Sequence, residues 1–497
     1  MRNIVNPQQN DLFDRYSAVL SPVARKRLLN NWHGVFRHVI LKELPVKELG
    51  EHFDPIMGRP STELYSIAGL LLIMEFKNWT VEEAADAYMF SIDIQYALNL
   101  GRDNQSMTTR TIERYQRLFR EKGFAVDIMN RVSEALIEKL DLDISKQRLD
   151  STHVFSNMAT FTRTRMMGVV VKRFLVQLKR HHTGTYEGLD EELRERYSRS
   201  EAGLFGDVSR DKNARQLLKQ QVAEDLYSLI ERFADNLKIT KRTSYKNMVT
   251  VFNEQCEVND GAITVKKKTG NQVMQNPSDP DATYDGHKGP GHQVQLSETC
   301  SDENDVQLIT SAIPERAHEQ DGDAINPIIE NLEEKGLLPD ELIADTHYGS
   351  DDNVQHCATK KVDLISPVSG PSPKEASENP TAKQQRLQTR RTEQETDIWR
   401  DRYRIRAGIE GTNSAIKRKT GLDRLRVRGA LSVDYAILMK VAGWNILRAA
   451  CSKKMKGYLP TQANLRKLMG QISTLAELIT ASLATFSDFR PSRRAFC

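Results

Sequence analysis

The chain has 497 residues, 39% hydrophobic and 28% charged, and its 71 Lys and Arg against 67 Asp and Glu leave a formal net charge of +4. That length suits roughly three domains of ordinary size, and the balance excludes wholesale disorder and fibrous repeats. Five scattered cysteines with no CxxC pair exclude a disulfide framework or zinc ribbon, no apolar run approaches the ~20 residues of a membrane span, and the first residues lack a secretory signal, so a cytoplasmic multidomain protein is expected.

Gly58-Arg59-Pro60-Ser61-Thr62 is a breaker followed by helix N-cap candidates, after which Leu64, Ile67, Leu71 and Met74 recur at helical spacing. Thr80 and Glu83 form a capping-box pattern that opens a second helix. A third is predicted after Thr109, with Arg110, Arg114, Arg117, Arg120 and Lys122 on its polar face. Short helices ending in a basic one fit a helix-turn-helix-like DNA reader; they fit a helical domain with a solvated basic face equally well. Residues 125–140 read as another amphipathic helix.

The pattern then changes. Gln147–Phe155 is short and partly β-branched, and reads as a strand containing Asp150. Residues 165–250 return to helical periodicity. Strands are predicted at Gln293–Thr299 and Val306–Thr310, a helix at Asp323–Lys335, a buried strand at Glu341–Asp345 and another at Val362–Pro367. Residues 369–397 contain no aromatic, Val, Ile or Met and one Leu, the composition of a solvated linker. From Ile398 the chain is helical and basic, then runs into an apolar helix at Leu431–Ala450. The expected class is α/β, with a helical insertion between the first two core strands.

Asp150 and Asp345 each sit within or at the end of a strand, where a carboxylate is costly unless paired or metal-bound. A strand-end cap is the simpler explanation for either alone. The segment after Arg400 says more. Tyr403, Arg406, Glu410 and Lys417 fall near 0°, 300°, 340° and 320° on a helical wheel, at about 100° per residue. A phenol, a guanidinium, a carboxylate and an ammonium on one stripe suit metal and phosphate better than a core. Arg406 and Glu410 also have the spacing of a surface ion pair. Gly408 and Gly411 flank the carboxylate, as if something large approached the backbone. Between Arg400 and Arg428, ten basic residues, including Arg418, Lys419, Arg424 and Arg426, face three acids. A polyanionic substrate with metal beside it explains that field better than a salt-bridged surface.

Tyr403-x2-Arg406-x3-Glu410-x6-Lys417 resembles the YREK signature of DDE transposases of bacterial insertion sequences, and the flanking YRIRAGIEGTNSAIKRKTGLDRLRVRG is similar to that family beyond the four residues. ADTHYGSDDN, with Asp345 and Tyr348, and RLDSTHVFSNM, with Asp150, resemble the blocks around its two Asp residues; NPSDPDATYDGHKGPGHQVQ and the helical stretch from Gly58 are also similar. The resemblance covers roughly residues 15–450. It implies an RNase H-like mixed-sheet core with Asp150, Asp345 and Glu410 as catalytic, metal-binding triad and two Mg²⁺ (or Mn²⁺) ions per site. In the core, Tyr403, Arg406, Lys417, Arg418, Lys419, Arg424 and Arg426 are then expected to contact DNA; the N-terminal stretch resembles the family's helical domain, an all-α DNA-binding domain is expected there, and its basic face offers Arg110, Arg114 and Arg117 as contacts. The partners implied are duplex DNA with terminal inverted repeats and target DNA, handled by a homodimer on paired ends, with no membrane. The insertion precedes the second core strand, whereas better-known relatives carry theirs between the second Asp and the Glu, so residues of that other insertion are not carried over.

The expected organisation is an N-terminal domain over 1–125, a catalytic core over 126–164 and 285–450, a mainly helical insertion over 165–284, an exposed linker at 369–397 and a C-terminal tail at 451–497. His153, His347, His287 and His292 leave a zinc hydrolase conceivable, and Asp279 and Asp281 suit either a cation or a Pro-containing turn. A DNA-binding repressor with an inactive core, or a metal-dependent nuclease without strand transfer, are the remaining alternatives.

Overall fold

The computed structural model describes residues 1–9, 15–101, 106–205, 211–370 and 380–459. The expected C-terminal tail lies outside them from residue 460 onward. Eight strands occur among the described residues: β1 (Lys146–Val154), β2 (Cys256–Asn259), β3 (Ala262–Val265), β4 (Thr283–Asp285), β5 (Gly289–Thr299), β6 (Ile309–Arg316), β7 (Glu341–Ile343) and β8 (Asp363–Ile365). β1 is central. It runs antiparallel to β5, with Asp150 opposite Leu296, and parallel to β7, with Arg148 opposite Ile343. β6 pairs antiparallel with the outer side of β5 and β8 pairs parallel with β7, giving the order β6-β5-β1-β7-β8; β4 extends the start of β5. Three antiparallel strands followed by two parallel ones form a mixed sheet consistent with an RNase H-like core.

The strand expected at Val306–Thr310 begins at Ile309 and runs to Arg316. Pro314 hides it in the sequence, but β6 is an edge strand, where a missing N–H is tolerated. The 369–397 segment also differs from expectation. Its described part holds a helix, Ala382–Gln394, opened by a Thr381–Gln384 capping box and devoid of buried residues. Its polar composition reflects a solvated helix lying outside the sheet.

The Leu64–Phe76 helix is capped by Glu63, whose carboxylate accepts from the Tyr65 and Ser66 amides at 3.0 and 2.7 Å, rather than by Ser61 or Thr62. The Thr80–Glu83 capping box forms as read. Thr109–Lys122 ends at Gly123, where a φ of 73° favours a residue without Cβ, and Phe124–Leu140 follows. These helices pack with Ala430–Ala449 and the sheet around one hydrophobic core that includes Phe76, Phe119, Leu136, Leu149, Leu296 and Ile437. Ala430–Ala449 is long and apolar enough to cross a membrane, but 72% of its most apolar stretch is buried here as a core helix. Buried Lys440 on it donates to the Glu75 and Thr420 carbonyls at 2.7 and 2.8 Å, tying the Leu64–Phe76 helix to the chain at Thr420.

The insertion has its own core. Met167, Val171 and Phe174 of the Arg163–His181 helix pack with Leu226 of Lys212–Phe233 and with Met248 and Phe252 of Thr243–Gln255. The β2–β3 hairpin lies against it, apart from the main sheet.

Candidate active site

Alternation along β1 puts Arg148 and Asp150 on one face of the sheet. Arg148, largely but not fully buried, makes two bonds to Glu298 of β5, at 2.8 and 2.6 Å, and a third to the Ile405 carbonyl at 3.2 Å. Its guanidinium lies where a side chain at Gly408 would sit: a Cβ there would be 1.9 Å from Arg148 Nη1. The large group approaching the backbone at Gly408 is therefore this arginine, and the contact seats the Gly408–Thr420 helix across β1. At Gly411 a Cβ would meet nothing within 4 Å, so internal packing does not account for that glycine.

The expected single helical stripe is interrupted. Tyr403 lies in the last turn of the Asp397–Arg404 helix, Arg406 lies in a 3₁₀ turn at Ile405–Ala407, and Glu410 and Lys417 belong to the next helix. Tyr403 stacks on Trp399 at 4.9 Å, against a small apolar cluster of Cys300, Ile343 and Ile365. Arg406 occupies the centre. Its Nη2 lies 3.4 Å from Asp150 Oδ1 and 3.8 Å from Asp345 Oδ2, and its Nη1 is 3.3 Å from Glu410 Oε1. One guanidinium thus joins all three carboxylates. Asp150 and Asp345 are mostly buried, whereas the Glu410 side chain is 67% exposed and reaches in from the solvent side. Asp345 follows β7 and caps the Thr346–Tyr348 turn, its Oδ1 accepting from the His347 amide at 2.8 Å.

Burial pushes the Asp150 carboxyl up to about 6; Arg406 opposes this, while Asp345 and Asp321 add to it. The Tyr403 phenol is raised, chiefly by burial. The Lys417 ammonium is lowered, first by burial and also by Lys288, with Asp423 acting the other way from 4.0 Å. Among the described residues no three His, Cys, Asp or Glu side chains are drawn into a metal cage; the Arg406 cation stands between the carboxylates instead. The donor set gathered around Arg406 is made of hard carboxylate oxygens, the type that suits Mg²⁺ or Mn²⁺.

Arg418, Lys419, Arg424 and Arg426 are exposed on and after the same helix. Residues 423–427 pair with the extension of β1, with Leu425 N donating to the Phe155 carbonyl at 2.8 Å, and Arg424 lies over the Phe155 ring at 5.5 Å. Arg110, Arg114 and Arg117 are exposed on Thr109–Lys122, while Arg120 turns inward to Ser432 Oγ at 3.0 Å. The histidines do not converge. His292 faces Asp279 at 3.3 Å, His347 is exposed, and burial, then Lys288, lower His153 to about 4. Asp279 and Asp281 sit in a turn; Asp281 accepts from the Ala430 amide at 3.1 Å, fixing the start of the C-terminal core helix.

Sequence reasoning missed three participants. Asn413 donates to Asp150 Oδ2 at 3.1 Å, and at about 280° it lies near the same wheel stripe, so periodicity could have found it. Lys288, exposed in the β4–β5 turn, brings a cation near Asp150, His153 and Lys417. Buried Gln295 of β5 accepts from Tyr348 OH at 2.5 Å and donates to Glu315 and Asp321 at 2.9 and 3.1 Å; only the fold brings those four together.

Residues 269–446 match the protein-family model described as Transposase DDE domain. Over that span, a little over a third of its length, the chain is similar to DDE-type transposase domains. The matched span holds Asp345, Arg406 and Glu410; Asp150 lies ahead of it and joins them through the pairing of β1 with β5 and β7. No curated protein and no solved structure matches the chain.

Proposed function

We propose that this transposase binds the terminal inverted repeats of an insertion sequence and catalyses metal-dependent strand cleavage and strand transfer at Asp150, Asp345 and Glu410. One observation supports this most: carboxylates 195 and 65 positions apart in sequence (345−150 and 410−345) meet on one guanidinium. Unrelated roles give no reason for that convergence.

On this reading Asp150, Asp345 and Glu410 would hold two Mg²⁺ or Mn²⁺ ions, which would supply water activation and stabilisation of a leaving 3′ oxygen. Asn413 fixes the orientation of the Asp150 carboxylate. Arg406 keeps the acids together in the resting protein and turns to phosphate when DNA is bound. Lys417 and Lys288 hold the phosphate from the other side, and Tyr403, stacked on Trp399, packs against the DNA end. A 3′-hydroxyl in place of water turns cleavage into joining. Arg418, Lys419, Arg424 and Arg426 track the DNA backbone, and Arg110, Arg114 and Arg117 read or grip the repeat. Two ends require two sites, so the working form is a homodimer on paired ends.

The test separates chemistry from binding. Asp150→Asn, Asp345→Asn and Glu410→Gln are each expected to abolish Mg²⁺-dependent nicking of inverted-repeat DNA while retaining a normal gel shift. Repeat binding by wild type with no nicking at any Mg²⁺ or Mn²⁺ concentration leaves a binding protein; nicking without joined products leaves a nuclease.

A further inference from the structure

We infer that the helical insertion carries a second DNA-contacting surface, an open basic cavity that holds duplex phosphodiester backbone. The cavity, about 670 Å³, is lined by Lys172, Arg173, Lys241 and Arg242, with Ser244 and Asn247 beside them and no carboxylate. It opens between the Arg163–His181 helix and the start of the Thr243–Gln255 helix.

Charge is sorted within the insertion. Residues 163–181 and 236–253 contain ten Lys or Arg and no Asp or Glu, whereas residues 187–235 contain twelve acids and eight bases. Like charges gathered on two neighbouring segments repel, and neither segment carries an acid to relieve them. Lys172 donates to the Arg199 carbonyl, Arg173 to Ser278 Oγ, and Arg242 faces His182 Nε2 at 3.3 Å, all neutral partners, and none of the cavity's lining residues is acidic; such a site suits a ligand rich in acceptors and negative. The Thr243–Gln255 helix begins here without a side-chain cap; the Tyr245 and Lys246 amides bond the Arg242 carbonyl, which leaves those of Thr243 and Ser244 for an anion. Ser244 Oγ is buried with no hydrogen-bond partner among the described residues. Val169 and Val170 supply an apolar wall suited to a sugar.

An extended polyanion fits better than a small phosphate. Exposed Lys179, Arg180, Lys238 and Lys246 continue the charge along both segments beyond the cavity, making a stripe. The cavity is also anchored to the sheet. Arg173 donates to Ser278 Oγ at 2.5 Å, and the adjacent Asp279 pairs with His292 of β5, the strand beside Asp150. A duplex held there is fixed relative to the catalytic face.

The inference rests on reading the chain as a DNA transposase, and its test is scored apart from catalysis. The full-length protein and its Lys172→Gln/Lys241→Gln variant are titrated against a labelled random-sequence DNA duplex by anisotropy over a salt series. We expect the variant to bind about tenfold more weakly near 0.1 M salt, with a slope of log K against log salt shallower by about 2, as loss of two phosphate contacts requires. Lys241→Glu, at an exposed position, serves if the double variant misfolds and should lower the slope by about 1 or more. Unchanged affinity and slope overturn the surface. So does tighter binding of duplex RNA, or saturable binding of inorganic phosphate or ATP, lost in the variants, with DNA binding intact. Wild type that never nicks DNA removes the transposase chemistry, while the salt slopes still decide this surface.

Discussion

At the residue scale, Asp150 combines burial with a counter-ion, Arg406, that it shares with two other carboxylates. Its folded-state value of about 6 exceeds the ordinary carboxylate value, so the metal-free folded protein binds more protons than the unfolded chain between about pH 4 and 6. Stability from this group is fully present below that range and is lost as pH rises through it. Asp150→Asn removes the titration. In chelator, its stability relative to wild type should therefore improve from pH 4 to pH 7.5, by up to about 1–3 kcal/mol. Urea unfolding at both pH values checks this; a wild type that gains as much as the variant over that interval contradicts the burial account. The two helix glycines give a matched pair. Gly408→Ala drives a methyl into the Arg148 guanidinium and should cost about 1–3 kcal/mol, while Gly411→Ala has open space and should gain up to about 1 kcal/mol. If Gly411→Ala keeps that gain yet loses DNA cleavage, the space above it is used by DNA.

At the scale of elements, the Ala382–Gln394 helix clamps the loop that carries the second aspartate. Arg386 makes two bonds to Asp351, at 3.1 and 2.6 Å, and Arg390 donates to the Gly349 and Ser366 carbonyls at 3.1 and 2.9 Å. Arg390→Ala uncovers both carbonyls and should speed amide exchange over residues 345–353 relative to β1, at a cost of about 1–3 kcal/mol. Hydrogen–deuterium exchange reads this directly; protection equal to wild type at 345–353 removes the clamp. Composition showed that this segment has no core to join, but not that it is helical, because a solvated helix held by two arginines leaves no apolar period. β1, β5, β7 and β8 were legible as short apolar or β-branched runs. β6 was obscured by Pro314, and the Tyr403–Lys417 stripe was legible in its residues but not in its 3₁₀ break. Arg148 and Gln295 escaped notice because their partners lie far away in sequence.

At the scale of the whole molecule, the N-terminal helices and the mixed sheet share one core, and the insertion has another. Two unfolding transitions are expected in calorimetry, and a core mutation should move only one. Gly443→Ala is the sharpest probe, because a Cβ there would lie 2.1 Å from Phe76 Cβ. It should lower the transition of the larger core by several degrees, with a cost of about 2–4 kcal/mol, and leave the insertion's transition in place. A single transition shifting as a whole would mean that the two cores melt together.

The central position of β1 has a consequence for how the protein is made. Both of its neighbours in the sheet, β5 and β7, leave the ribosome long after it, and Glu410 later still. Ala430–Ala449, which closes the shared core, is later again. Any nascent or prematurely terminated chain that stops short of these elements holds Asp150 without its companions. The three carboxylates can therefore meet on Arg406 only in a chain that has been made past residue 410, and the core they rest on closes only once the Ala430–Ala449 helix has followed.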